Sequence, residues 1–156
     1  MLFDGSIRKA IHQLKYRYSR DMAVPLGEML ISFWKKTPLP AELLLPVPLS
    51  PRRLRERGYN QSRLLAERLG ASAGIAVCDN ALRRQRHTQS QARLNAEQRR
   101  KNVAGAFACV GNTVRDKQIL LIDDVCTTGA TLEACSIALK QGGAGSVWAL
   151  TLARAE

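Results

Sequence analysis

Residues 119–131, Ile-Leu-Leu-Ile-Asp-Asp-Val-Cys-Thr-Thr-Gly-Ala-Thr, constrain the fold of this chain more than any other stretch. Four consecutive aliphatic residues, Ile119 to Ile122, predict a strand buried on both faces, because the run is too short for a buried helix. Asp123 and Asp124 stand at its carboxyl end, a turn of hydroxyls and glycine follows, and a helix is expected to begin near Thr131. In open parallel sheets, ligands bind at that end of the strands, and the N–H groups of a helix start favour an anion. The turn therefore suits a monophosphate, with hydroxyl donors from Thr127, Thr128 and Thr131 and a positive φ allowed at Gly129. The paired carboxylates repel phosphate and suit a sugar diol or a hard cation such as Mg2+. Together these parts point to a phosphorylated ribose.

Two other frameworks fail. A receiver domain also carries paired aspartates after an aliphatic strand, but near its start, and here only 32 residues follow Asp124. A P-loop needs Gly-x-x-x-x-Gly-Lys, which does not occur.

The chain has 156 residues, enough for a single domain with a core. A helical part is expected over 1–40 and an α/β core over 41–156. No apolar run approaches the ~20 residues that span a bilayer, so membrane insertion is not expected. Met1-Leu2-Phe3-Asp4-Gly5 is not a basic-then-apolar leader, and the cytoplasm is the expected location. Cys78, Cys109, Cys126 and Cys135 form no Cys-x-x-Cys pair and read as free thiols.

Charge is concentrated. The net charge is +11, and residues 52–101 hold thirteen basic side chains, twelve of them arginine, against Glu56, Glu67, Asp79 and Glu97. The planar guanidinium matches phosphate oxygens in pairs, so phosphate ligands explain this bias better than a solubilising surface does.

Periodicity predicts helices over 7–17 and 22–36, the second with Val24, Leu26, Met29, Leu30 and Phe33 inward. A strand is expected over 43–47, then a helix from Tyr59 or Asn60 to Ala73. A short strand falls within 75–82. Residues 84–104 form a charged loop with a helix near 95–101. Strands at 106–110, 119–122 and 146–152 and a helix over 131–141 complete the reading. Alternating strands and helices indicate an open, mostly parallel sheet flanked by helices.

The first strand leads into Leu-Ser-Pro-Arg-Arg-Leu-Arg-Glu-Arg-Gly-Tyr-Asn-Gln (49–61), read as a proline-stiffened loop. A parallel sheet brings its strand ends to one edge, so the sugar's 5′-phosphate would sit at Thr127–Thr131. A C1 diphosphate would face Ser50, Arg52, Arg53 and Arg57. Asn60 is either a helix cap or a ligand contact, and Tyr59 is the aromatic among the arginines. His12 and His87 are read as surface residues.

The segment 119–131 resembles the signature of the type I phosphoribosyltransferases, which bind 5-phosphoribosyl 1-diphosphate (PRPP) with Mg2+. The pattern Arg86-x-Thr88-x-x-Gln91-x-x-Leu94-x-x-x-x-Arg99-x-x-Asn102-x-x-x-Ala106-Phe107, the 49–61 loop and Lys15-Tyr16 narrow the likeness to the ComF family, associated with DNA uptake and use. The resemblance implies a type I phosphoribosyltransferase-like fold with a flexible loop. Asp123 and Asp124 would hold the ribose hydroxyls and Mg2+. Thr127, Thr128, Gly129, Ala130 and Thr131 would wrap the 5′-phosphate. The 84–104 loop would close as a lid with Arg86 and Gln91 as contacts. Family members usually begin with a four-cysteine zinc module, so this chain is expected to be a short form or to lack its start. The implied activity is phosphoribosyl transfer from PRPP to an acceptor the sequence does not identify. A second reading is a single-stranded-DNA-handling protein that keeps the pocket as a ligand sensor or relic, with contact to DNA-uptake machinery.

Overall fold

The computed structural model describes residues 5–15, 19–85 and 96–154. Two helices come first, α1 (Gly5–Leu14) and α2 (Ala23–Lys36), with a 3-10 turn over Arg20–Met22 before the second. Helix α2 buries Ala23, Leu26, Gly27, Leu30 and Ile31, a stripe at helical spacing. Val24 and Phe33, expected inside, lie off that stripe and are 45% and 49% exposed. The stripe leans toward Trp34 instead, which packs half-buried against the same core.

Strand β1 (Leu43–Pro46) leads to helix α3 (Pro51–Arg57), then α4 (Gln61–Ala73) and the short β2 (Ala76–Val77). Strand β3 (Leu82–Arg84), helix α5 (Ala96–Val103), strands β4 (Phe107–Cys109) and β5 (Gln118–Cys126), helix α6 (Ala130–Gln141) and strand β6 (Ser146–Arg154) follow. The four-stranded sheet has the order β2-β1-β5-β6, and every pair in it is parallel. One strand leaves the expected pattern. The 106–110 segment pairs antiparallel with β3, an element not foreseen, in a separate two-stranded sheet. The reading of a mostly parallel sheet flanked by helices holds for the rest.

The central strands explain why the sheet sits where it does. Leu43, Leu44 and Leu45 of β1 and Ile119 to Ile122 of β5 are all buried, as expected for strands covered on both faces. Alternation divides them. Leu44, Leu120 and Ile122 pack with Ile11, Leu14, Leu26 and Leu65 from α1, α2 and α4. Leu43, Leu45, Ile119 and Leu121 pack with Val103, Phe107 and Leu139 on the other face. The β1–β5 register pairs Leu45 with Leu121 and Pro46 with Ile122, so both strands reach the same edge together. The ladder continues through the Val47 N–H to the Ile122 carbonyl at 2.9 Å. Pro46 has no N–H for the other flank, which matches β2 pairing only with Leu43 and Leu44.

Helix α4 approaches this sheet closely at Gly70. A Cβ there would lie 2.7 Å from the Ile75 carbonyl oxygen and 2.9 Å from a Val77 methyl. The nearest obstacle is backbone, which cannot rotate away. Gly70→Ala is therefore expected to lower unfolding stability by about 1–3 kcal/mol in urea titration, the usual cost of overpacking.

Candidate functional site

The edge where β1 and β5 end is built from three local structures. The first is α3, in the segment read as a loop. Ser50 caps it, its Oγ accepting from the Arg53 N–H at 3.3 Å, with Pro51 in the first turn. Gly58, at φ 77°, ends the helix and donates its N–H to the Leu54 carbonyl at 2.8 Å. Ser-Pro at the start and Gly at the end are ordinary helix boundary signals, here with seven residues between Ser50 and Gly58. The helix makes its arginines unequal. Arg52 is exposed and held by Glu56 at 2.7 Å, whereas Arg53 and Arg57 are half-buried. Arg57 donates to Gln61 Oε1 at 2.9 Å. Burial and the charge of Arg53 lower the pKa of the Arg57 guanidinium. Two partly dehydrated cations side by side form a place that an anion would relieve.

The second structure is the turn after β5. Gly129 precedes α6 with φ 79°, a conformation that only glycine takes without strain. No side chain caps α6, although the Thr128 hydroxyl accepts from the Ala130 N–H at 3.4 Å. The start of a twelve-residue helix thus faces the edge with its positive end.

The third is the acid pair, which lies within β5 and not after it. Asp124 is only 5% exposed, while Asp123 is half-buried. Asp123 Oδ1 accepts from the Ser62 hydroxyl at 2.8 Å and from the Asp124 N–H at 2.9 Å. Asp124 Oδ1 accepts from the Val125 N–H at 2.8 Å. Its Oδ2 receives Lys15 Nζ at 3.1 Å and Gln61 Nε2 at 3.3 Å. Burial, and then the adjacent Asp124 charge, push the Asp123 carboxyl up to about 7, against the Ser62 and backbone hydrogen bonds and the Lys15 charge. Among the described residues no group of three or more His, Cys, Asp or Glu gathers to hold a metal. Of this donor set Asp123 Oδ2 has no hydrogen-bond partner among the described residues, and it fits a divalent ion that arrives with most of its oxygen ligands supplied by a bound phosphate compound.

All three structures line one cleft of about 810 Å³. Ser50, Arg52, Arg53, Arg57, Asp123, Asp124, Thr127, Gly129, Ala130 and Thr131 are in its wall, as the sequence pairing of the two segments requires. Thr128 is not, since its hydroxyl turns back on the loop. Arg86, His87 and Gln91 lie outside the described residues. Asn60 proves structural on both counts, accepting from the Ser62 N–H at 3.0 Å and donating to the Val47 carbonyl at 3.0 Å.

Sequence reasoning missed the second half of the site. Lys15, Gln61, Ser62 and Arg84 also surround the acids or the cleft. Gln61 and Ser62 are buried polar residues in the first turn of α4, a signal visible only once the helix is packed. His12 of α1, read as surface, is exposed yet reaches the cleft wall, as does the exposed Arg8 on the same helix. Tyr59, the aromatic among the arginines, is buried at 6% exposure. Its hydroxyl donates to the Leu14 carbonyl, and Arg20 lies over its ring at 5.0 Å.

An anion-accepting turn, a carboxylate pair and a guanidinium cluster at one parallel-sheet edge define a phosphoribosyltransferase-type domain. The sequence profile of the family described as "Phosphoribosyl transferase domain" matches residues 56–156, and the chain belongs to that family. Competence protein F of Haemophilus influenzae is 39% identical over 73% of this chain and 51% of its own length. DNA utilization protein YhgH of Salmonella typhi is 33% identical over 92% of this chain and 65% of its own. Competence protein ComFC of Bacillus subtilis is 30% identical over 97% and 61%. The chain therefore spans half to two thirds of the length of these relatives. In fold it matches glutamine PRPP amidotransferase from B. subtilis, with a TM-score of 0.56 at 19% identity, covering 91% of this chain and 26% of that one. No helix among the described residues is long and apolar enough to cross a membrane.

The raised Asp123 pKa has a stability consequence. The folded protein holds a proton that the unfolded chain releases near pH 4, so this contribution is complete below about pH 4. It is lost as pH rises through about 7. Asp123→Asn keeps an oxygen for Ser62 and the Asp124 N–H but does not titrate. In ligand-free, chelated protein, its melting temperature should gain on that of the wild type between pH 5 and pH 8, measured by calorimetry.

Proposed function

We propose that the cleft binds PRPP and that the chain transfers the phosphoribosyl group to an acceptor, within the uptake or use of DNA. The observation that supports this reading most is the convergence of three features on one cleft at the sheet edge. The helix start after β5, the acid pair within β5, and the half-buried Arg53 and Arg57 after the neighbouring β1 all line the one cleft. A ribose with its diol on Asp123 and Asp124 would extend its 5′-phosphate toward Thr127–Thr131 and its diphosphate toward α3.

Transfer breaks the bond between the anomeric carbon and the diphosphate oxygen while an acceptor atom bonds to that carbon. The carbon gains oxocarbenium character as the leaving group gains charge. Arg53 and Arg57 stabilise that charge in a partly dehydrated position, where fixed cations act more strongly than in water. The amides of α6 and the hydroxyls of Thr127 and Thr131 hold the far end of the sugar, and the acid pair orients the ring. Mg2+ bound by the diphosphate and by the free oxygen of Asp123 would supply further neutralisation of the leaving group. Arg86 and Gln91 complete the proposed contacts as part of a closing loop.

The names of the relatives, competence and DNA utilization, support a DNA-related role, for which single-stranded DNA and the uptake machinery are the proposed partners. A purely DNA-handling role with the pocket kept as a sensor draws on the same arginines. It would lack Tyr59 as a stacking platform, because that ring is buried.

Mg-PRPP at about a hundred times its dissociation constant should raise the melting temperature by several degrees. Asp124→Asn should abolish the rise, and diphosphate release with a panel of bases and amines would identify the acceptor. No rise at millimolar ligand overturns the assignment. For DNA, the logarithm of affinity for a single strand should fall steeply with the logarithm of salt concentration. Arg52→Ala with Arg53→Ala should flatten that slope by about one to two, in fluorescence anisotropy across a salt series.

A further inference from the structure

Asp124 raises a question that the proposed function leaves open: which cation balances it. Its Oδ2 is met by Lys15 Nζ at 3.1 Å and by Gln61 Nε2 at 3.3 Å, and its Oδ1 by the Val125 N–H at 2.8 Å. Asp123 Oδ1 is met by the Ser62 hydroxyl and the Asp124 N–H. Three of the four carboxylate oxygens therefore face donors already. Only Asp123 Oδ2 has no hydrogen-bond partner among the described residues. A divalent ion on Asp124 would have to displace an ammonium and an amide, both of which repel it. Magnesium also wants oxygen ligands in near-octahedral order at about 2.0–2.1 Å, which this surrounding does not offer.

Lys15 is held in place and does not reach in from a loose surface. Its N–H bonds the His12 carbonyl at 3.1 Å at the end of α1. The two residues that anchor that turn, Ile11 and Leu14, are fully buried, and the Leu14 carbonyl takes the Tyr59 hydroxyl. The Lys15 side chain keeps 30% of its surface exposed, so its charge lies at the cleft and not beneath it.

We infer that Lys15 is a tethered cation for the acid pair, a positioning residue that lets Asp124 meet the ribose diol without a divalent ion on its carboxylate. The inference rests on the PRPP reading of the cleft. It confines any metal to the diphosphate end of the ligand and to Asp123 Oδ2. It also places α1, a helix outside the 56–156 family match, inside the binding machinery.

The test is PRPP binding by thermal shift and isothermal titration in chelator and in excess Mg2+, with no turnover needed. Wild-type protein should bind PRPP in chelator. Lys15→Gln should weaken that binding about tenfold, as expected for losing a charged hydrogen-bond partner, and Mg2+ should restore most of it. Lys15→Arg should retain binding in chelator. Lys36→Gln, which removes equal charge from the exposed end of α2 outside the cleft wall, should also retain it. Binding by wild type only in Mg2+ would overturn the inference while leaving the PRPP assignment standing. So would a Lys15→Gln protein that binds in chelator as wild type does, or a Lys36→Gln protein that loses as much. Absence of binding in both buffers would remove the PRPP assignment and this inference with it.

Discussion

The pairing of β1 with β5 is the constraint on which the rest of the molecule depends. Both strands are buried on both faces, and both therefore consist of aliphatic residues with no polar relief until they reach the edge. Such strands suit a parallel ladder covered on both faces, and here β1 and β5 form one between the two halves of the core. The Leu45–Leu121 and Pro46–Ile122 register then places two polar segments, remote in sequence, side by side where the apolar run stops. Cleft geometry follows from hydrophobic burial first and from chemistry second.

Carboxylates at the end of such a strand lie where water is scarce. Asp124 is buried and Asp123 partly so, and two adjacent negative charges there cost free energy that nothing in the core offsets. The surroundings recruit relief from three directions: the first turn of α4, through Gln61 and Ser62; the backbone of β5 itself; and the end of α1, through Lys15. The result is a site that is polar, charged and destabilising in itself, as binding sites commonly are. Helix α1 thereby contributes to the site and not only to the core.

Much of this was legible before any coordinates. The run Ile119–Ile122 has one sensible interpretation, and the acids, threonines and glycine after it mark the strand end that the cleft occupies. The arginine-rich segment and its pairing with that turn were also legible, because a parallel sheet allows few other placements. Helix α3 was not, since Pro51 and the polar run suggested a loop, and only the Ser50 cap and Gly58 end make a seven-residue helix stable there. Strand β3 was hidden because three residues carry no periodicity, and the antiparallel partnering of β4 is a tertiary choice. Lys15 and Gln61 fall within the segments that carry the family likeness, yet neither they nor Ser62 could be given a role at the acid pair by pattern. Their roles arise from three-dimensional neighbours more than forty residues away in sequence, and lysine, glutamine and serine at helix ends have many ordinary uses.

The buried phenol of Tyr59 joins two parts of this arrangement. It follows directly on the Gly58 that ends the arginine helix, and it spends its hydroxyl on a carbonyl at the last turn of α1. Parting the two would strand that carbonyl away from water, a penalty that ordinary thermal motion seldom meets. That bond ties the end of α1, where Lys15 begins, to the end of the arginine helix, so the two cationic walls of the cleft share one buried anchor.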